Sequence, residues 1–161
     1  MDDRLRVLLN AQAKTGRPFR LSVEGVSMRP LLREGDVILA CREAAYAVGD
    51  IVVFHYVDGS LLVHRVVRIR DGVYTCKGDN ALRMEPVLAR QIVGRVYAVE
   101  RDGGVSPLPG GRCSGRLRCR LSARIGDRFM RAPDPEAARR TGLYRLYARL
   151  FLRERENGRS V

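Results

Sequence analysis

The sequence predicts a mainly β fold: a compact antiparallel β domain of bent or partly closed sheets, with a short N-terminal helix and C-terminal helices. Three observations carry this. Short apolar runs fill the chain from about residue 19 to 101, turn signals separate them, and helical periodicity is confined to the two ends.

The elements follow in order. Leu5, Leu8, Leu9 and Ala13 share one helical face, and Gly16 and Pro18 close that helix, so residues 1–18 form an amphipathic N-terminal segment. "FRLSVEG" reads as a strand leading into a turn. "DVILAC", "DIVVFHYV", "LLVHRVVRI", "GVYTCKG" and "QIVGRVYAVE" read as further strands, divided by "REGD", "VGD", "VDGS", "RDG" and "GDN". "VDGS" and "RDG" are hairpin turns, because Asp-Gly readily takes positive φ. These strands make residues 19–101 a β core. "RDGGVSPLPGGRCSG" then changes the composition, and residues 102–115 read as a Gly/Pro linker. Residues 116–161 form a basic helical tail. Leu117, Leu121, Ile125 and Phe129 recur at every fourth position of one helix, and Leu143, Leu146, Tyr147, Leu150 and Phe151 form the stripe of a second, over 142–156. Pro133 and Pro135 keep the two apart.

Composition narrows the function. At 161 residues with 45% hydrophobic content, one domain with an ordinary core is expected. No apolar run approaches the 18 or so residues that a membrane-spanning helix needs. The charged start lacks the continuous apolar centre of a secretory signal, so a cytoplasmic location is expected, with peripheral membrane contact as a further option. The net charge of +12 is almost all arginine, since Lys14 and Lys77 are the only lysines. Cys41, Cys76, Cys113 and Cys119 contain no C-x-x-C pair, and the two histidines lie near no cysteine cluster. Free thiols, no metal and no cofactor are expected.

"EGVSMRPLLREGD", residues 24–36, sets a serine in a turn bounded by glycine and proline. A serine hydroxyl is a poor nucleophile at neutral pH unless a base lies within hydrogen-bond reach. The candidate bases are His55, His64, Lys14 and Lys77. His64 stands in "LLVHRVV", and "CKGDN" follows with Asp79. An acid on one imidazole nitrogen fixes the tautomer and stabilises the imidazolium. Ser27, His64 and Asp79 are thus a full set of parts, with Lys77 as the alternative base. Asp36 and Asp50, each in a Gly-Asp pair, read as turn-holding residues.

"GVSMRPLLREGD", "GDIVVF", "VHRVV" and "KGDN", in this order, resemble the signal peptidase I superfamily of serine endopeptidases, which also includes the self-cleaving domains of SOS-type repressors. The resemblance covers residues 20–100. One branch of the superfamily uses a Ser–Lys dyad; a histidine before Arg-Val, here His64, implies the Ser–His–Asp branch. The resemblance places Lys77 in the "KGDN" loop near the acid, where a solvated or ion-paired lysine is the ordinary expectation. It sets Met28 beneath Ser27 and Pro30 in the turn, and it puts Gly25 where some relatives carry a hydroxyl, leaving the oxyanion to backbone donors. It also implies an extended substrate added as a strand beside residues 20–26, with Leu21, Val23 and Val26 at the binding surface and cleavage after small residues of a leader or precursor peptide. A non-catalytic relative binding peptide or nucleic acid is the alternative.

The tail has three readings: an amphipathic helix on an anionic membrane, with Leu143, Tyr147, Leu150 and Phe151 inserted; a phosphate-binding surface for nucleic acid, the least favoured; or a stripe packed on the β domain with solvated arginines.

Overall fold

The structure, a computed structural model, describes residues 11, 15–108 and 115–153. The N-terminal helix expected from the sequence falls almost wholly outside them. Eight strands follow one another: β1 (Phe19–Ser22), β2 (Val37–Cys41), β3 (Ile51–His55), β4 (Leu61–Arg70), β5 (Val73–Lys77), β6 (Glu85–Leu88), β7 (Ile92–Arg101) and β8 (Gly104–Pro107). They form one antiparallel sheet in the order β1-β2-β7-β3-β4-β5-β6, with β8 on β7. The fold is mainly β, as the alternation of apolar runs and turns predicts.

The two ten-residue strands curl the sheet. β7 runs beside β2 along one edge, and its other edge passes from β3 to β8. β4 pairs with β3 through Leu61–Arg65 and with β5 through Arg65–Arg70, so successive halves of one strand serve different neighbours. Register shifts at Leu39/Ala40, Val53/Phe54 and Val66/Arg68 mark bulges, which bend a strand and increase its twist.

The turn chemistry is local. Asp71-Gly72 and Asp102-Gly103 both take positive φ at the two positions, the type I′ geometry that matches strand twist. The second of these corrects the linker reading. Residues 102–107 are a hairpin turn and β8, and Leu108 is buried with its N–H donated to the Tyr97 carbonyl. Residues 109–114 lie outside the described residues.

β3 is buried on both faces, so its alternation feeds two cores. Ile51 and Val53 join Phe19, Met28, Leu32 and Val99 on one side; Val52 and Phe54 join Val66, Cys76, Val87 and Ile92 on the other. Each fully buried side chain of this kind contributes roughly 1.5–3 kcal/mol.

Three helices cover the β4–β5 region: α1 (Arg116–Arg131), α2 (Pro135–Arg140) and α3 (Gly142–Tyr147), the last running into a π turn over Ala148–Leu152. Cys119 and Ala123 of α1 pack on Val67 and Met84. Leu121 and Ile125 meet Leu82 and Tyr147, with Leu143, Phe151 and Leu152 around them. Tyr147 is 1% exposed, so the helical segment is part of the fold, and this residue is not available for insertion into a bilayer. Leu117 departs from its expected stripe and is 57% exposed. A four-residue step over-rotates a helix by about 40°, which carries Leu117 away from the face that buries Ile125. No helix among the described residues is long and apolar enough to cross a membrane.

Candidate active site

Ser27 sits in the turn between β1 and β2. Gly25 enters it at φ 78°, and the hydrogen bonds Arg29 N–H to Val26 O and Leu32 N–H to Met28 O wind it. Met28 and Leu32 are buried in the core and fix its depth. Asp36 ties off its far end, accepting from Arg33 N–H at 2.7 Å and from the Arg101 guanidinium at 2.7 and 2.6 Å. Burial alone raises the Asp36 carboxyl, but these hydrogen bonds outweigh it and hold the group below its ordinary value. Asp50 plays the matching part before β3, accepting from Ala47 N–H at 2.8 Å.

His64 lies on β4 opposite Val52, with its ring against Phe54. Its Nε2 is 3.2 Å from Ser27 Oγ, and its Nδ1 is 3.0 Å from Glu85 Oε2. Both His64 and Glu85 are only 5% exposed. Hydroxyl, imidazole and carboxylate stand in line, the order in which a base is held by an acid and faces a hydroxyl. His55, at the end of β3 opposite Leu61, takes no part in this line.

The carboxylate is not the expected one. Asp79 accepts two hydrogen bonds from Arg65, Nε to Oδ1 at 2.8 Å and Nη2 to Oδ2 at 2.8 Å, and a third from Arg118 at 3.3 Å. Burial works to raise its pKa, yet the Arg65 charge and hydrogen bonds keep it below its ordinary value. The physical reason is strand alternation. His64 and Arg65 are consecutive on β4 and face opposite sides. Cross-strand neighbours share a face, and the register Val66↔Cys76↔Glu85 places Glu85 on the side of His64. Arg65 pairs with Lys77 on the other side, beneath the helices, and Asp79 follows them there. "MEP" reads as the start of an ordinary strand, so nothing local marks Glu85; the available signal is the adjacent His-Arg pair, whose side chains face opposite sides of β4, so that one acid cannot serve both.

Asp79 and its neighbours still serve the serine, through backbone. Asn80 N–H donates to Ser27 O at 2.7 Å, and Asn80 Nδ2 donates to Val26 O at 3.3 Å. A Cβ on Gly78 would stand 2.7 Å from Ser27 O, so only glycine lets this loop approach so closely. The helices brace the loop from behind: the Tyr147 hydroxyl donates to Asp79 O at 2.9 Å.

Lys77 is neither solvated nor ion-paired. It is 1% exposed, donates to Gly78 O at 3.2 Å and lies over the Tyr147 ring at 5.6 Å from its centroid. Arg65 has taken the nearby carboxylate. Burial strips the ammonium of water and lowers its pKa to about 8, against the attraction of Asp79 and Glu85.

The expected binding residues divide. Val23 is 6% exposed and Leu21 packs on the same core, so their side chains support β1 rather than face a ligand. Val26, 51% exposed, stands next to Ser27. Pro30 is half-buried within the turn. Among the described residues no strand pairs with the outer edge of β1. Cys41, Cys76 and Cys119 are free thiols, Cys113 lies outside the described residues, and no metal-binding cluster is found among those described.

A curled antiparallel sheet with a buried imidazole between a serine and a carboxylate is consistent with a serine-peptidase-like protein. The family model described as Peptidase S24-like matches residues 2–97, and the chain belongs to that family. No curated protein matches it.

Proposed function

We propose that this chain is a serine endopeptidase in which Ser27 is the nucleophile, His64 its general base and Glu85 the acid that holds His64. The observation that carries this reading is the line from the half-buried Ser27 Oγ through the buried His64 to the buried Glu85. Ser27 Oγ attacks the peptide carbonyl while its proton passes to His64 Nε2, and Glu85 stabilises the imidazolium. The imidazolium returns that proton to the departing amine, leaving an acyl-enzyme on Ser27. Water, deprotonated by the same imidazole, then releases the acid and restores the hydroxyl. The backbone N–H of Ser27 meets the oxyanion. The substrate, a leader or precursor peptide, lies extended along the outer edge of β1, held by main-chain hydrogen bonds, with small side chains at the bond cleaved. Within the family this is a signal-peptidase-like reading, with Glu85 in the role first expected of Asp79.

A peptide-binding module without catalysis is the second reading, supported by the outer edge of β1, which has no strand partner among the described residues and serves binding with or without chemistry. Alanine variants separate the two. Ser27→Ala and His64→Ala each abolish cleavage of a peptide containing Ala-x-Ala, at unchanged melting temperature. Full turnover by either variant overturns this mechanism, and peptide binding without cleavage by the wild type supports the module.

A further inference from the structure

We infer that the outer face of α1, with the exposed leucines of the α3 segment, is a docking surface for an anionic lipid bilayer. Arg116, Arg120, Arg124, Arg128 and Arg131 are all exposed and span about 120° of the helix. Residues 116–153 hold eleven arginines against three acids, a surplus of eight in a chain of net charge +12. Of the three acids only Asp127 attracts a member of this face, Arg131, and its hydrogen bonds go elsewhere. Asp127 is taken by Arg68 at 3.1 and 2.5 Å, Glu136 by Arg140 at 3.1 Å, and Asp134 caps α2.

Two electrostatic penalties follow from this layout. Like charges at i,i+4 repel, and the row holds three such pairs in succession. The N-terminal end of a helix carries positive partial charge, yet the first turn of α1 has no acid of its own and opens on the exposed Arg116; Arg118 in the same turn is paired with Asp79 at 3.3 Å. Among the described residues no acid pairs with Arg116, Arg120, Arg124 or Arg128, so an external polyanion is the complement of this row.

The apolar residues indicate which polyanion. Leu117, 57% exposed, lies within the arginine face. Leu146 and Leu150, four apart, are 48% and 52% exposed beside Arg145, Arg149 and Arg153. Phosphate binding to nucleic acid has no use for exposed leucines. A bilayer interface does: leucines enter the acyl boundary while arginine stems extend along it to reach headgroup phosphates. This surface differs from a simple tail stripe, since Tyr147 stays inside the fold. The inference is independent of whether Ser27 reacts.

The test is sedimentation of the full chain with phosphatidylglycerol–phosphatidylcholine vesicles and with pure phosphatidylcholine. Wild type is expected to bind the anionic vesicles only, and to release at roughly 0.5 M salt, where the screening length falls to a few ångströms. The Arg116/Arg120/Arg124/Arg128→Gln variant keeps good helix formers and its melting temperature, and binds about a hundredfold more weakly or worse. Leu146→Ser/Leu150→Ser weakens vesicle binding about tenfold and leaves retention on duplex DNA unchanged. Equal binding to zwitterionic vesicles, or wild-type binding by the arginine variant, overturns the proposal. So does displacement from vesicles by duplex DNA combined with no effect of the leucine variant; that result would assign the face to nucleic acid.

Discussion

Glu85 Oε2 stands 3.0 Å from His64 Nδ1, while Asp79, six residues earlier, gives both carboxylate oxygens to Arg65 on the opposite face of the sheet. Two acids close in sequence therefore have separate tasks, one at the imidazole and one under the helices.

Glu85→Gln should keep the shape of the site and remove its charge. The expected loss is roughly 10⁴-fold in kcat, the size seen when a triad acid becomes its amide. Steady-state cleavage of a small-residue peptide measures it. A loss below about tenfold would remove Glu85 from the mechanism.

Asp79→Asn should act on stability instead. It leaves the Arg65 guanidinium, whose side chain is 7% exposed, without a charge partner, and breaking such a buried pair costs about 3–5 kcal/mol. The pH dependence has a definite sign. Because the folded carboxyl is held below its ordinary value of 3.8, its contribution is present above that pH and is lost as pH falls below it. Urea midpoints from pH 3 to 7 should show the wild type losing stability at the acid end by more than Asp79→Asn does. Equal acid sensitivity in the two proteins would refute this assignment.

Tyr147→Phe removes the hydroxyl that donates to Asp79 O and strands that carbonyl. About 1–2 kcal/mol of stability should go, from the desolvation of an unpaired buried acceptor. The same loop donates Asn80 N–H to Ser27 O, so hydrogen exchange at the Asn80 amide should speed up along with a fall in kcat of a fewfold. Unchanged exchange there would mean that the helices do not brace the serine turn.

Lys77 gives a prediction at alkaline pH. Its ammonium titrates at about 8 when buried, against an ordinary 10.5. Between those values the unfolded chain holds the extra proton, so this site makes the folded state more stable as pH rises. Relative to Lys77→Met, the wild type should gain about 1–3 kcal/mol from pH 7 to 10. Buried thiols such as Cys76, pushed up by desolvation, work the other way but are common to both proteins. Parallel stability curves would show that Lys77 keeps its ordinary pKa inside the fold and that burial does not lower it.

Much of the fold was legible in the sequence because its signals are local. Alternating apolar runs and Asp-Gly turns set the strands, and the His64 hairpin needed nothing beyond its own turn. The linker reading failed at Asp102-Gly103, where the hairpin turn lay in a stretch whose Gly/Pro content resembled a break. The stripe expected at Leu117 does not form, because a spacing of four sweeps around the helix rather than keeping to one face.

The sequence by itself determined that this protein is mainly β, that Ser27 lies in a turn with Met28 as its buried anchor, and that His64 rather than one of two lysines is its neighbour. The first follows from periodicity and the serine's turn from its glycine and proline; Met28 and His64 follow from the resemblance that the four motifs carry. Only the tertiary structure decided which carboxylate meets the imidazole, that Lys77 is buried, and that the helical segment reaches Asp79 through Arg118 and Tyr147. Each of those depends on which side of β4 a residue faces and on what lies across from it in the sheet. Strand register sets both, and it joins residues far apart in the chain.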